Sequence, residues 1–215
     1  MRDIIHFSHA NGFPAPVYRQ LFAELSPDYD MGYLDMIGHD PRYPVTDSWP
    51  HLVEETLHTL QARYTQPVIG VGHSLGGLYQ YAFARLYPQD VAGLVLLDAT
   101  HPRHLASMRQ SNPGTARFVT GLVSMAGALP LSGPMAAEFQ AQTTCLDALE
   151  HLPPLNLPVR VLVHTRSSWL ADSELEATFA ALTRDWLRLT GATAVQRVPQ
   201  AGHYIHHDQP ETAVR

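Results

Sequence analysis

The stretch Gly72-His73-Ser74-Leu75-Gly76-Gly77 sets a serine at the centre of a G-x-S-x-G pattern. It lies between an apolar run, Val68 to Val71, and a helix-like run, Leu78 to Tyr87, which implies a strand, a sharp turn and a helix in that order. Glycines two residues either side of Ser74 let the chain turn tightly and hold the hydroxyl clear of the backbone, so Ser74 is the candidate nucleophile. A serine hydroxyl attacks poorly at neutral pH unless a base takes its proton, and the base needs an acid to orient it. His203, in Ala201-Gly202-His203-Tyr204-Ile205-His206-His207-Asp208, is the candidate base. Two carboxylates compete for the acid. Asp98 closes the apolar run that starts at Val91, and a charge at the end of such a run calls for a partner, which the imidazolium forming on His203 would be. Asp172 comes later and lies beside Ser173 at the start of a capped helix, where a carboxylate has a competing role toward the helix dipole. Asp98 is expected to be the acid, with Asp172 the alternative. An oxyanion intermediate needs two preorganised donors. Leu75 N–H is expected to supply one and Asn11 N–H, on the loop His9-Ala10-Asn11-Gly12, the other, with Phe13 in its place if that loop is aligned differently.

These residues need a scaffold that sets them at one edge, and the chain reads as one. Ile4 to about His9 is a first strand, Met31 to Asp35 a second, and the run before Ser74 a third. Val91 to Asp98 is a fourth, Val159 to Thr165 a fifth and Ala194 to Val198 a sixth. Helices fall between them: one carries Val17, Leu21, Phe22 and Leu25, and another Leu52, Val53, Leu57 and Leu60. The elbow helix precedes Pro88, and a last one opens on the capping box Ser173-x-x-Glu176 and closes at Gly191. Strands alternating with helices imply a mostly parallel sheet with helices on both faces, and ligands in such sheets bind beyond the carboxyl ends of the strands. His9, Ser74, Asp98 and His203 all fall at or just past such ends. From about 101 to 158 the rhythm fails, with prolines punctuating helix-like pieces, so a small cap inserted over the strand ends is expected within a single domain spanning 1–215.

With 215 residues, of which 45% are hydrophobic and 16% charged, the chain is long enough for one such domain with a substantial core. A formal net charge of −6 offers no basic face for phosphates and counts against nucleic acid as a partner. No apolar run approaches the roughly 20 residues that span a bilayer. Cys145 is the only cysteine, which excludes an intrachain disulfide, leaves no cysteine-based zinc site and is compatible with the reducing cytoplasm, the expected location. Oligomeric state is left open.

The chain closely resembles the α/β-hydrolase superfamily, specifically its small serine esterase and lipase-like members. The resemblance rests on His9-Ala10-Asn11-Gly12-Phe13-Pro14, the segment around Ser74, Leu94-Val95-Leu96-Leu97-Asp98, and Gly202 to Glu211, in the family's chain order of serine, acid and histidine. It implies a cap after the fourth strand, no cofactor and no metal. It also implies hydrolysis of a small-molecule carboxylic ester through an acyl-enzyme. Thioesterase, lactonase, amidase, carbon–carbon hydrolase and perhydrolase activities use the same machinery, and a non-catalytic ligand-binding descendant is the alternative outside enzymes. Most members place the acid after the strand corresponding to Val159 to Thr165, but some carry it after the strand that Asp98 closes. Family members also begin with an extra β-hairpin and end on a further helix. Here the first strand follows Met1 directly and the last helix would be capped by Asp208-x-x-Glu211, so a core trimmed at both ends, with a mobile oxyanion loop, is expected. Cap residues Phe118, Leu122, Val123, Met125 and Leu129 suit short or medium acyl chains or pack the cap on the core.

Overall fold

A computed structural model of the chain describes residues 2–10, 15–33, 58–104, 106–107, 149, 152–166 and 173–214. Six strands alternate with helices along it. β1 (Ile4–Ser8) is followed by α1 (Arg19–Leu25), β2 (Asp30–Tyr33) and helical residues 58–63. Next come β3 (Val68–His73), α2 (Leu75–Leu86), β4 (Val91–Leu97) and β5 (Val159–His164). α3 (Ser173–Thr190), β6 (Val195–Val198) and two short helices, α4 (Ile205–Asp208) and α5 (Pro210–Val214), complete it. The strands form one all-parallel sheet in the order β2-β1-β3-β4-β5-β6. The expected architecture is therefore the observed one. The elbow helix starts three residues earlier than its apolar pattern suggests, at Leu75, because Gly76 and Gly77 are recruited into its first turn.

Alternate strand residues feed two apolar layers, as the pleat requires. Ile4, Leu94, Leu96, Val161 and Val163 face α2, Leu60 and the Trp186 and Leu189 end of α3. Ile5, Phe7, Leu97 and Leu162 face Tyr18, Leu21 and Leu25 on the other side, where Ala213 and Val214 of α5 join them. Helix α2 lies so deep that every residue from Leu75 to Arg85 is buried. Its one guanidinium is matched by oxygen atoms: Arg85 donates to Tyr81 Oη (2.7 Å) and to the carbonyls of Leu149 (2.7 Å), Leu152 (2.5 Å) and Leu189 (3.0 Å). That contact ties the end of α3 and the return from the expected insertion to the core. Most of that insertion lies outside the described residues, as do Leu52, Val53 and Leu57. Among the described residues no helix is long and apolar enough to cross a membrane.

The direction of chain progression reverses beside β1, which has β2 on one side and β3 on the other. In an open parallel sheet this is where the loops beyond the strand ends diverge and leave a crevice. The loops after β1 and β3, carrying His9 and Ser74, flank it.

Candidate active site

Ser74 sits alone between the last residue of β3 and the first of α2, with φ 55° and ψ −122°. Such a backbone costs a non-glycine residue about 1–3 kcal/mol and persists only where the surroundings over-determine it. Here they do. Ser74 N–H donates to Leu97 O (3.1 Å), and Ser74 C=O accepts from Gly77 N–H (3.0 Å) and Thr100 N–H (2.8 Å). The neighbouring glycines serve close packing rather than backbone freedom, which corrects the sequence expectation. None of Gly72, Gly76 and Gly77 has positive φ. A Cβ on Gly76 would overlap the carbonyl oxygens of Ser8 and His9, one on Gly72 the backbone of Gly76 and Gly77, and one on Gly77 the methyl group of Ala99. Strand β1, the elbow and the start of α2 thus touch backbone to backbone. The strain falls on the serine itself.

Leu75 opens α2, so its N–H is one of the first-turn donors that have no carbonyl partner within the helix. Asn11 and Phe13, the two options for the other oxyanion donor, lie outside the described residues, as does Asp172.

Asp98 follows β4 directly, with φ 46°, and its N–H donates to Leu162 O (2.8 Å). Its side chain is nearly buried and receives two histidines. His203 Nδ1 lies 2.5 Å from Oδ2. His164, the last residue of β5, places Nδ1 2.8 Å from each carboxylate oxygen and its backbone N–H 3.2 Å from Oδ1. A carboxylate can only accept, so each Nδ1 carries hydrogen, and the neutral His203 ring is left with a lone pair on Nε2. Burial alone would raise the Asp98 carboxyl pKa, but hydrogen bonds and positive charge from the two histidines outweigh it and hold the group well below the usual carboxylate range. The hydrogen bond to Asp98 raises His164 against a smaller opposing effect of burial.

His203 is brought to the nucleophile through its backbone. His73, the residue before Ser74, is fully buried and donates from Nε2 to His203 O (2.8 Å), and the two rings lie 4.7 Å apart. Because Nε2 carries the hydrogen, Nδ1 must accept, and it does so from Tyr18 Oη (2.8 Å). Tyr18 Oη in turn accepts Ala10 N–H (3.0 Å). A chain of three hydrogen bonds, two of them buried and the third partly so, therefore links the loop after β1, the elbow and the base loop. Burial, reinforced by the charges of His203 and His206, keeps His73 well below the usual imidazole range and so neutral. His206 is buried against Tyr18 and His73, and His207 is exposed. His9 shapes its loop locally through Nδ1 and Ala10 O (2.7 Å).

Asp208 departs from its expected place as a helix cap. Helix α5 begins at Pro210, which makes Gln209 the residue before it, and the Asp208 carboxylate turns back to accept Gly202 N–H (2.7 Å) and Arg166 Nη2 (3.2 Å). It pins the backbone immediately before His203.

The structure thus brings Asp98 and His203 into contact and sets Ser74 beside them through backbone and His73, without a Ser74–His203 hydrogen bond among the described residues. Sequence reasoning misses three further residues: His164, Tyr18 and His73. His164 closes β5, the strand after which the resemblance would place the acid, and that position is the one signal that could have drawn attention to it. Nothing local marks Tyr18. Among the described residues no group of three or more His, Cys, Asp or Glu side chains is arranged to hold a metal ion.

The sequence profile of the alpha/beta hydrolase family matches residues 7–215. The pimeloyl-[acyl-carrier protein] methyl ester esterase of Shewanella woodyi is 27% identical over 212 residues, covering 92% of this chain and 80% of its own. Among solved structures, a thermophilic esterase from Thermogutta terrifontis shares the fold with a TM-score of 0.65 at 20% identity, over 99% of this chain and 86% of that one. A probable hydrolytic enzyme from Pseudomonas aeruginosa does so with a TM-score of 0.62, also at 20% identity, over 98% and 82%. With the profile matched over nearly its whole length, and a strained serine, an acid and a histidine following strands of one parallel sheet in that order, the chain belongs to the alpha/beta hydrolase family.

Proposed function

We propose that this carboxylic ester hydrolase works through an acyl-enzyme, with Ser74 as nucleophile, His203 as general base and acid, and Asp98 as the carboxylate that orients His203. Ser74 Oγ attacks the ester carbonyl while His203 Nε2 takes its proton. Leu75 N–H and Asn11 N–H stabilise the oxyanion, and His203 returns the proton to the departing alcohol. Water activated by the same imidazole then releases the acid and restores Ser74. The observation that carries this reading is the Nδ1 contact of His203 with Asp98, because it selects the tautomer whose Nε2 can accept a proton. Relatives named as pimeloyl-[acyl-carrier protein] methyl ester esterases favour an ester with a small alcohol group, and we take the substrate to be a small-molecule ester. We place a cap at about 101–158, within a single domain, over the strand ends. The single cysteine fits a cytoplasmic location, and the acidic balance of the chain argues against nucleic acid as a partner.

Replacing Ser74 by Ala is expected to abolish both turnover of p-nitrophenyl esters and covalent labelling by a fluorophosphonate probe, with the circular dichroism spectrum unchanged. Retained turnover would end the serine mechanism. A series of p-nitrophenyl esters of increasing chain length then sizes the acyl pocket.

A further inference from the structure

Among the described residues, three of the four hydrogen-bonding contacts on the Asp98 carboxylate come from His164, two of them sharing its single Nδ1–H, and one comes from His203. His164 engages both oxygens with its ring and adds its backbone N–H on Oδ1, whereas His203 reaches only Oδ2. The carboxylate is thus aimed by His164 and used by His203. We infer that His164 is a positioning residue for the acid, and that its proton decides how much of the Asp98 charge is left to stabilise an imidazolium on His203. This rests on the proposed role of His203 as base.

The physical argument is one of shared charge. A single buried carboxylate faces two imidazoles, from the end of β5 and from the loop after β6. Arg166, two residues beyond His164, adds positive charge there and is itself paired with Asp208. His104, after β4, is near enough to feel both Asp98 and His203, and its own burial lowers it to about 4, so it stays neutral through the working range. In the transition state His203 becomes positive. If His164 is neutral, the full carboxylate charge opposes that positive charge. If His164 is already protonated, the Asp98–His164 pair is neutral overall and the second imidazolium forms against a neighbouring cation. A positive charge on either ring is therefore felt by the other through the one carboxylate they share. Turnover is highest when both are neutral, and because each positive charge disfavours the other, the acid side of the rate profile falls in two separated steps.

The test uses the whole chain. In the wild type, log kcat/KM against pH is expected to fall toward acid in two separated steps, the first following the proton on His164. His164→Asn keeps an amide N–H near the Nδ1 position but cannot titrate, and is expected to leave a single one-proton step. His164→Ala, which leaves Oδ1 with a single donor, is expected to lower kcat about tenfold to a hundredfold with little change in KM, and His164→Asn to recover most of that loss. A one-proton limb in the wild type, or equal losses in the Asn and Ala variants, would overturn the inference. Because both readings meet in the kinetics, imidazole 15N spectra separate them. Asp98→Asn should shift the Nδ1 resonances of both His164 and His203 whether or not Ser74 is the nucleophile. A shift of the His203 signal alone defeats the shared-carboxylate reading and leaves the serine mechanism standing.

Discussion

The rings of His73 and His203 lie 4.7 Å apart and belong to opposite electrostatic regimes. On the nucleophile side, His73 and His6 are buried, neutral and bonded to uncharged partners: Tyr18 and a carbonyl in one case, Gln80 in the other. Burial dominates both, and it takes His6 down to about 4. On the acid–base side, His164 and His203 are partly exposed and face a carboxylate, and His164 is shifted upward. The nucleophile is held by backbone contacts that only glycine permits and by neutral hydrogen bonds; the base is held by charge. One half should therefore break by adding volume and the other by removing charge without changing shape.

The largest effect is expected from the charge side. Asp98→Asn keeps the shape but supplies an amide that can donate to His203 and favour the wrong tautomer, so kcat should fall by about 10³–10⁴ while the unfolding midpoint moves far less. Asp172→Asn should leave turnover nearly unchanged, and steady-state kinetics on both variants decide between them, with the reverse result moving the acid to Asp172. Next comes the packing side. A methyl group on Gly76 must displace the backbone of Ser8 and His9, so Gly76→Ala should cost about 3 kcal/mol in urea denaturation and reduce turnover at every pH alike. A Gly76→Ala protein of wild-type stability would show that β1 and α2 do not need their close approach.

Tyr18→Phe sharpens the comparison, because it removes a neutral bond donor without adding volume. It leaves Ala10 N–H and His73 Nδ1 buried without their partner and should cost about 1–3 kcal/mol of stability. It should also lower kcat modestly without changing the shape of the pH profile, which a role confined to stability would not do. The smallest effect per group is the acid dependence of stability. His6 binds its proton in the unfolded chain below about 6.5, but in the folded protein only near 4. Between those values the unfolded state holds more protons, so stability falls as pH falls, by about 2 kcal/mol for His6 at pH 5. His164 has the opposite sign: raised on folding, it contributes stability below its ordinary value that is lost as pH rises through its folded one. Unfolding midpoints measured from pH 5 to pH 8 should therefore decline toward acid, with a shallower decline on the alkaline side. A midpoint that rises on going from pH 7 to pH 5 would contradict the assignment of His6 as buried and neutral.

What the sequence determines by itself is whatever depends on neighbours along the chain. Apolar runs such as Val91–Leu97 declare a parallel sheet buried on both faces, and the central strands fall where such runs lie, whereas β2 (DMGY) and β6 (VQRV), at the two edges, are short and partly polar. The G-x-S-x-G pattern locates the elbow, and the order of serine, acid and histidine can be read directly. The direction of a side chain across the sheet is not local, and there the tertiary structure decides. Asp98 and His164 are 66 residues apart, and only the parallel pairing of β4 with β5 sets them side by side at the strand ends. Tyr18 and His73, 55 residues apart, meet only because β1 pairs with β3 and the chain after β1 packs back over the elbow. Even the glycines around Ser74, visible as letters, take their reason from contacts with Ser8, His9 and Ala99 that no spacing encodes. Thirteen histidines look alike in the sequence; which are bases, which are donors and which are neutral packing depends on whether a carboxylate lies within reach, and folding alone settles that.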